Sequence, residues 1–315
     1  MPLQRGIQVI LRDTGKKNKS GGADMTDHAF GMEYRLRALS PDLHRRFTDT
    51  VFALQHTLSK YRMLFPEYTD HSILHSVSVI NFCNLIAGDQ IGLLNADELY
   101  ILLVSCYCHD AGMGISRRDY EQLSRLIHFG NYFDTHSRQD MTAIVRDFHH
   151  EFSGLFIRKY AALLDIPSEE HLRAIIQVVR GHRRTDLMDE TEYPAAFPLP
   201  GGSTACLPYL SALIRLADEI DVTATRNPIM LYDIEALTDP IQIIENKKLR
   251  VIRSIETSED AFTLVADPCG PELLAQIQAM IVKMQYTLDI CRRAVRGRTP
   301  YRISQKRILL KDAAP

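Results

Sequence analysis

Along most of this chain, apolar residues return every three or four positions, the period of a helix that buries one face. Leu43, Phe47, Val51, Leu54 and Leu58 follow Pro41 in this rhythm, and Pro66 ends it. The same spacing predicts helices over 73–86, 96–109, 140–164, 168–181 and 210–225. Asn95 is placed to cap the helix that begins at 96, and Ser168 opens another just after Pro167. Residues 192–208 break the pattern with repeated prolines and the pair Gly201-Gly202, which predicts a long loop.

The texture changes after Asn227. Residues 229–234, 241–245, 248–255 and 261–265 are short, β-branched runs separated by turn residues and read as strands. Residues 273–295 form one long amphipathic helix with Leu274, Ile277, Ile281, Met284 and Leu288 on a stripe suited to a core or a homo-oligomer contact. A last strand is expected within 301–310. The pattern therefore predicts a mainly α protein: a polar tail over 1–27, a helical domain over 28–226 and a smaller C-terminal α+β subdomain over 227–315. Lys16, Lys17 and Lys19 beside Gly21-Gly22 read as part of the solvated tail.

Composition narrows the field without naming a function. A net charge of −2 over 315 residues gives no global attraction to nucleic acid or anionic membranes. No apolar run approaches the roughly 20 residues needed to span a bilayer, and the N-terminal residues lack a signal-peptide core. Six cysteines without CxxC pairs point to reduced thiols and a cytoplasmic setting, with Cys106 and Cys108 as packing residues.

The chemistry concentrates in histidines and aspartates near predicted helix ends. His109 and Asp110 are adjacent and precede Gly112, where the chain can leave a helix and the two side chains can converge. Imidazole beside carboxylate suits a divalent transition metal. His75, His150 and His182 stand at comparable places, and Asp218 lies on an otherwise apolar helix face, where a carboxylate must find a cation.

In this order the residues resemble the HD superfamily of metal-dependent phosphohydrolases, over roughly residues 65–226. His75-Ser76-Val77-Ser78-Val79 resembles the first histidine motif, and Cys108-His109-Asp110-Ala111-Gly112 the namesake motif. His150-Glu151-Phe152-Ser153 and Leu216-Ala217-Asp218-Glu219-Ile220-Asp221 resemble the later ones. The resemblance implies one metal on His75, His109, Asp110 and Asp218, with Asp110 bridging to a second on His150 and His182. It implies Mn²⁺ or Fe²⁺ as the pair of ions, with Mg²⁺, Co²⁺ and Ni²⁺ as alternatives, and His109 and Asp110 as the catalytic core. His71 and His149 are spare candidates for substrate contact.

Two ions a few Å apart activate a water toward phosphorus, which points to hydrolysis of a nucleotide or nucleotide-like phosphoester. Nucleic acid enters only as a substrate. Arg183, Arg184, Arg215 and Arg226 are candidate phosphate ligands, with Arg117 and Arg118 as further ones. The loop 192–208 could act as a lid or as a passive connector. The motif is followed by Met113-Gly114-Ile115-Ser116-Arg117-Arg118, unlike the lysine of the cyclic-dinucleotide branch or the His-rich run of the dNTP branch. Two other readings share the ligand set: a di-iron oxygenase similar to myo-inositol oxygenase, and a non-catalytic nucleotide sensor.

Overall fold

The computed structural model describes residues 25–227 and 234–313. The tail lysines 16, 17 and 19 and most of the run 229–234 lie outside them. The helices are α1 (Met25–Leu39), α2 (Pro41–Leu58), α3 (Tyr61–Leu64), α4 (Ile73–Ala87), α5 (Ala96–Cys108), α6 (Arg117–Leu123), α7 (Met141–Tyr160), α8 (Glu169–Gly181), α9 (Leu207–Ile220), α10 (Pro240–Val251) and α11 (Pro271–Val295). The strands are β1 (Phe197–Pro198), β2 (Thr204–Ala205), β3 (Ile252–Thr257), β4 (Ala261–Ala266) and β5 (Arg307–Asp312). The fold is mainly α with a small C-terminal sheet, as the sequence pattern predicts.

The core is organised on α5. It is apolar on all sides, so no face can be given to water, and every residue from Glu98 to Cys108 is buried. Helices α2, α4, α8 and α9 pack around it. Its start is fixed by a capping box: the Asn95 side chain accepts from Glu98 N, and the Glu98 carboxylate accepts from Asn95 N. Glu98 also accepts Cys206 N at 3.0 Å and the Tyr301 hydroxyl at 2.9 Å. One carboxylate thus ties α5 to the start of α9 and to the C-terminal segment.

Helix α1 was not expected. Its Met32 and Leu36 are fully buried, and it packs against α2, α4 and α5. The runs 241–245 and 248–251, expected as strands, are helical and form α10. The start signals outweigh β-branched propensity there: the Asp239 side chain accepts from Ile241 N, and Pro240 takes the first turn. Strands β3 and β4 pair antiparallel, and β4 pairs parallel with β5. The expected final strand begins later, at Arg307. The loop 192–208, a candidate lid, instead buries Tyr193, Phe197 and Leu199, and β1 and β2 form a short antiparallel pair inside it.

Helix α11 lies on α9 and brings the C-terminal region over the helix ends that carry the His/Asp residues. Among the described residues no single helix is long and apolar enough to cross a membrane.

Replacing Glu98 by Ala would strand the buried Cys206 N–H and Tyr301 O–H. The expected cost is about 3 kcal/mol, read as a lower midpoint in urea unfolding with an unchanged slope.

Candidate metal centre

Four helices deliver most of the site by their ends. Ser72 caps α4, its side chain accepting from Leu74 N, and this places His75 in the first turn with His71 just before the helix. His109 caps the C-terminus of α5, and Asp110 follows in a non-helical conformation (φ −101°, ψ 8°). His182 caps α8, and Asp218 lies in the last turn of α9. The C-terminal ends of α5, α8 and α9 carry partial negative charge, which favours a cation between them.

The fifth contribution comes from a break. Helix α7 loses helical geometry at Phe148 (φ −117°, ψ 16°). The kink lets the turn Ala111–Gly114 approach closely: a Cβ on Gly112 would lie 2.4 Å from His149 O and 2.7 Å from Ser153 N. Only glycine fits there. The Ser153 hydroxyl locks the contact, accepting from Gly112 N at 2.8 Å and donating to His109 O at 2.6 Å.

Seven side chains converge. His75 Nε2 lies 3.1 Å from His109 Nε2 and 3.2 Å from Asp218 Oδ1. Asp110 Oδ2 is 3.3 Å from His109 Nε2, 3.6 Å from His75 Nε2 and 2.7 Å from His71 Nδ1. Asp110 Oδ1 faces the other way, 3.5 Å from His149 Nε2, and His149 Nε2 is 3.0 Å from His182 Nε2. Three overlapping groups could each hold a metal: His71, His75 and Asp110; His75, His109 and Asp218; Asp110, His149 and His182. Donors about 2.1 Å from one ion and at right angles to each other stand about 3 Å apart, so the spacing fits.

The tautomers are set from behind. His109 Nδ1 donates to Cys106 O at 2.9 Å and His149 Nδ1 to Arg146 O at 2.7 Å, while His182 Nδ1 donates to Val179 O. Each acceptor is the carbonyl three residues earlier, where a helix ends or where α7 breaks at Phe148. His75 Nδ1 instead donates to Asp221 Oδ2 at 2.7 Å, and Ser78 Oγ donates to the other Asp221 oxygen at 2.8 Å. With Nδ1 carrying the proton, all four Nε2 atoms point inward, and each is a lone pair once its ring is neutral, which for His109 requires release of its second proton.

Charge follows the same logic. Burial keeps His149 neutral, its pKa well below the usual imidazole range, with Arg183 adding repulsion. Burial likewise pushes His182 down to about 3. Their facing lone pairs, 3.0 Å apart, repel each other unless a cation lies between them. Burial also opposes charge on His109, but Asp110 and Asp218 override it and push its pKa up to about 9. Burial resists ionisation of both carboxylates; His109 and His71 hold Asp110 ionised, and His75 and His109 do so for Asp218.

His150 is the correction to the expected ligand set. The Phe148 kink turns His149 toward Asp110 and His182, and its neighbour, about 100° further round the helix, turns away. His150 Nε2 lies 3.8 Å from Glu151, its Nδ1 has no hydrogen-bond partner, and burial pushes its pKa down to about 2. His71 and His149, expected as spare contacts, are inside the cluster. Asp221, which orients His75, was missed; its spacing of three from Asp218 on one helix end was the available signal.

The arginines divide. Arg183 borders the cleft over the cluster, with its Nε buried and without a hydrogen-bond partner. Arg226 also borders it, donating to Asp70 O at 2.9 Å and lying 3.3 Å from His71 Nδ1. Arg215 is committed to backbone, donating to Gly181 O at 2.7 Å and Thr185 O at 2.8 Å, so it braces the α8 terminus rather than reaching for substrate. Arg184 is exposed, 3.6 Å from Asp147. Arg117 pairs with Glu121 at 3.3 Å on the surface, and Arg118 is exposed beside it.

An HD-type domain with a His/Asp cluster able to hold metal is thus defined by fold and site together. The HD-CE family model matches residues 65–291, and the chain belongs to that family. The match continues past residue 226 through α10, β3, β4 and most of α11. No curated protein and no solved structure shows a detectable match to the chain.

Two outcomes test the centre. His149→Ala should lower Mn²⁺ affinity at least tenfold by calorimetry while His150→Ala leaves it near wild type. Metal-free protein should be most stable near pH 6.5. Below it, the unfolded chain protonates His150 and His182, which burial in the folded chain keeps neutral down to about 2 and about 3. Above it, stability tied to the His109 proton is lost through about pH 9. Thermal melting across pH 5–10 in EDTA checks both limbs.

Proposed function

We propose that this chain is a metal-dependent phosphohydrolase acting on a nucleotide or nucleotide-like phosphoester. One observation carries the reading: two neutral, buried imidazoles, His149 and His182, aim lone pairs at each other across 3.0 Å beside the ionised Asp110. A structural histidine cluster would place a proton between such nitrogens.

The donor set suits the expected ions. Five imidazoles and two carboxylates fit Mn²⁺ or Fe²⁺ better than Mg²⁺, which prefers oxygen. The two oxygens of Asp110 face different histidine groups, the disposition a carboxylate needs to bridge two ions. Ions held there would lower the pKa of a bound water and clamp phosphoryl oxygens.

The chain's own residues then bind and orient. Arg183 and Arg226 border the cleft and can grip non-bridging phosphate oxygens with charge-assisted bonds. Asp221 keeps the His75 lone pair turned inward, and Arg215 holds the turn carrying His182. Asp110 and Asp218 remain ionised and offset the positive charge gathered at the site.

The test is metal analysis of the purified chain, then a phosphate-release screen over nucleotides and cyclic nucleotides with Mn²⁺. EDTA should abolish turnover, and His109→Ala with Asp110→Ala should lower it about a thousandfold, roughly 4 kcal/mol. Robust turnover by the double variant would sink the proposal.

A further inference from the structure

Two cavities meet at the cluster. The first, about 360 Å³, is floored by Asp110, His149 and Asp218 and walled by α10 and α11. The second, about 620 Å³, opens beside His182 and runs along α11 to Arg293. Arg183, Glu219 and Lys283 border both, so the His/Asp cluster lies where the chambers join. Each has the volume of a small-ligand site, about 300–1,000 Å³.

Their linings differ. Val222, Ala279 and Met280 give the first chamber an apolar wall, with Arg226 and Lys248 as cationic anchors. The second is more cationic, with Arg184, Lys283 and Arg293, and it carries the exposed ring of Tyr286. Such a ring can stack on a planar group.

Two cationic groups are not explained by the fold alone. Lys248 is 7% exposed, yet its carboxylate partner is the half-exposed Glu245, at 2.8 Å on the same helix. A pair three residues apart on a helix forms as readily at the surface, where neither charge is desolvated. The buried position of Lys248 therefore makes sense for an anion entering the first chamber. Arg183 Nε is the second, a buried donor without a partner at the junction.

A phosphomonoester has one organic group and needs one chamber beside the reacting phosphorus. A diester has an organic group on each side. We infer that the substrate is a small phosphodiester with a bulky group in each chamber, its anionic oxygens met by Arg183, Lys248 and Lys283. Glu219, 3.0 Å from Lys283, and Glu245 hold the lysines until that anion competes for them. The assignment rests on the proposed hydrolysis and sharpens it. A water oxygen bonds to phosphorus, one P–O ester bond breaks, and one water proton ends on the released alcohol. The products are an alcohol and a phosphomonoester, and no oxidant or reductant is consumed.

The test compares the full chain with Ala279→Trp, which fills the first chamber, and Arg293→Glu, which reverses charge in the second. Both positions are exposed on α11, and melting curves confirm that the variants fold. Calorimetry with Mn²⁺ measures binding of a phosphorothioate-linked adenosine dinucleotide and of the mononucleotide phosphorothioate. The dinucleotide should bind at least about tenfold tighter and lose about tenfold with either substitution, while the mononucleotide responds to one alone. Bis(p-nitrophenyl) phosphate should also be cleaved faster than p-nitrophenyl phosphate. Equal binding of both analogues with both variants silent, or cleavage of the monoester alone, overturns the inference. Dinucleotide binding in the expected pattern without cleavage of either ester would support the two chambers and refute the hydrolysis on which they were built.

Discussion

The structure depends on one small hydrogen bond, made three times: a histidine Nδ1–H donating to the carbonyl three residues earlier. Each bond falls on a carbonyl at a helix terminus or at the break in α7. It also spends the only proton of a neutral imidazole on the outer side of the ring. The inner nitrogen is left bare. Secondary structure that simply ends, at Cys108, at Gly181 and at Phe148, thus produces electron pairs directed at one point.

The rest of the architecture keeps those ends together. An all-round apolar α5 must be buried, and its burial draws α4, α8 and α9 to it. Close approach is allowed where side chains vanish. Gly112 lets the Asp110 turn touch α7, and Gly181 lets α8 meet α9, where a Cβ would lie 2.5 Å from the Ser211 side chain. Packing and chemistry share residues here, so a substitution at either glycine would be felt in both.

Much of this was legible in the sequence. The three-to-four residue rhythm located the main helices, Asn95 announced the start of α5, and the spacing of His75, His109-Asp110, His182 and Asp218 marked the region of the centre. What escaped had local causes with no local signature. The choice between adjacent His149 and His150 turns on one non-helical residue, Phe148, whose backbone is set by the fit of Gly112 against α7. The run 241–251 is rich in isoleucine, yet Asp239 and Pro240 start a helix there. The basic residues of α10 and α11 that face the cluster, Lys248 and Lys283, lie far from any motif and reach it only through tertiary docking.

The converging side chains span the chain from His71 to Asp218, and no two of the helices that bear them can be undocked without separating the donors. A fragment or a partly folded intermediate can hold some of these ligands, but never the full set. An ion held at the centre would therefore act as an assay of completion: its retention would distinguish a chain whose helices have all docked from one that is merely compact.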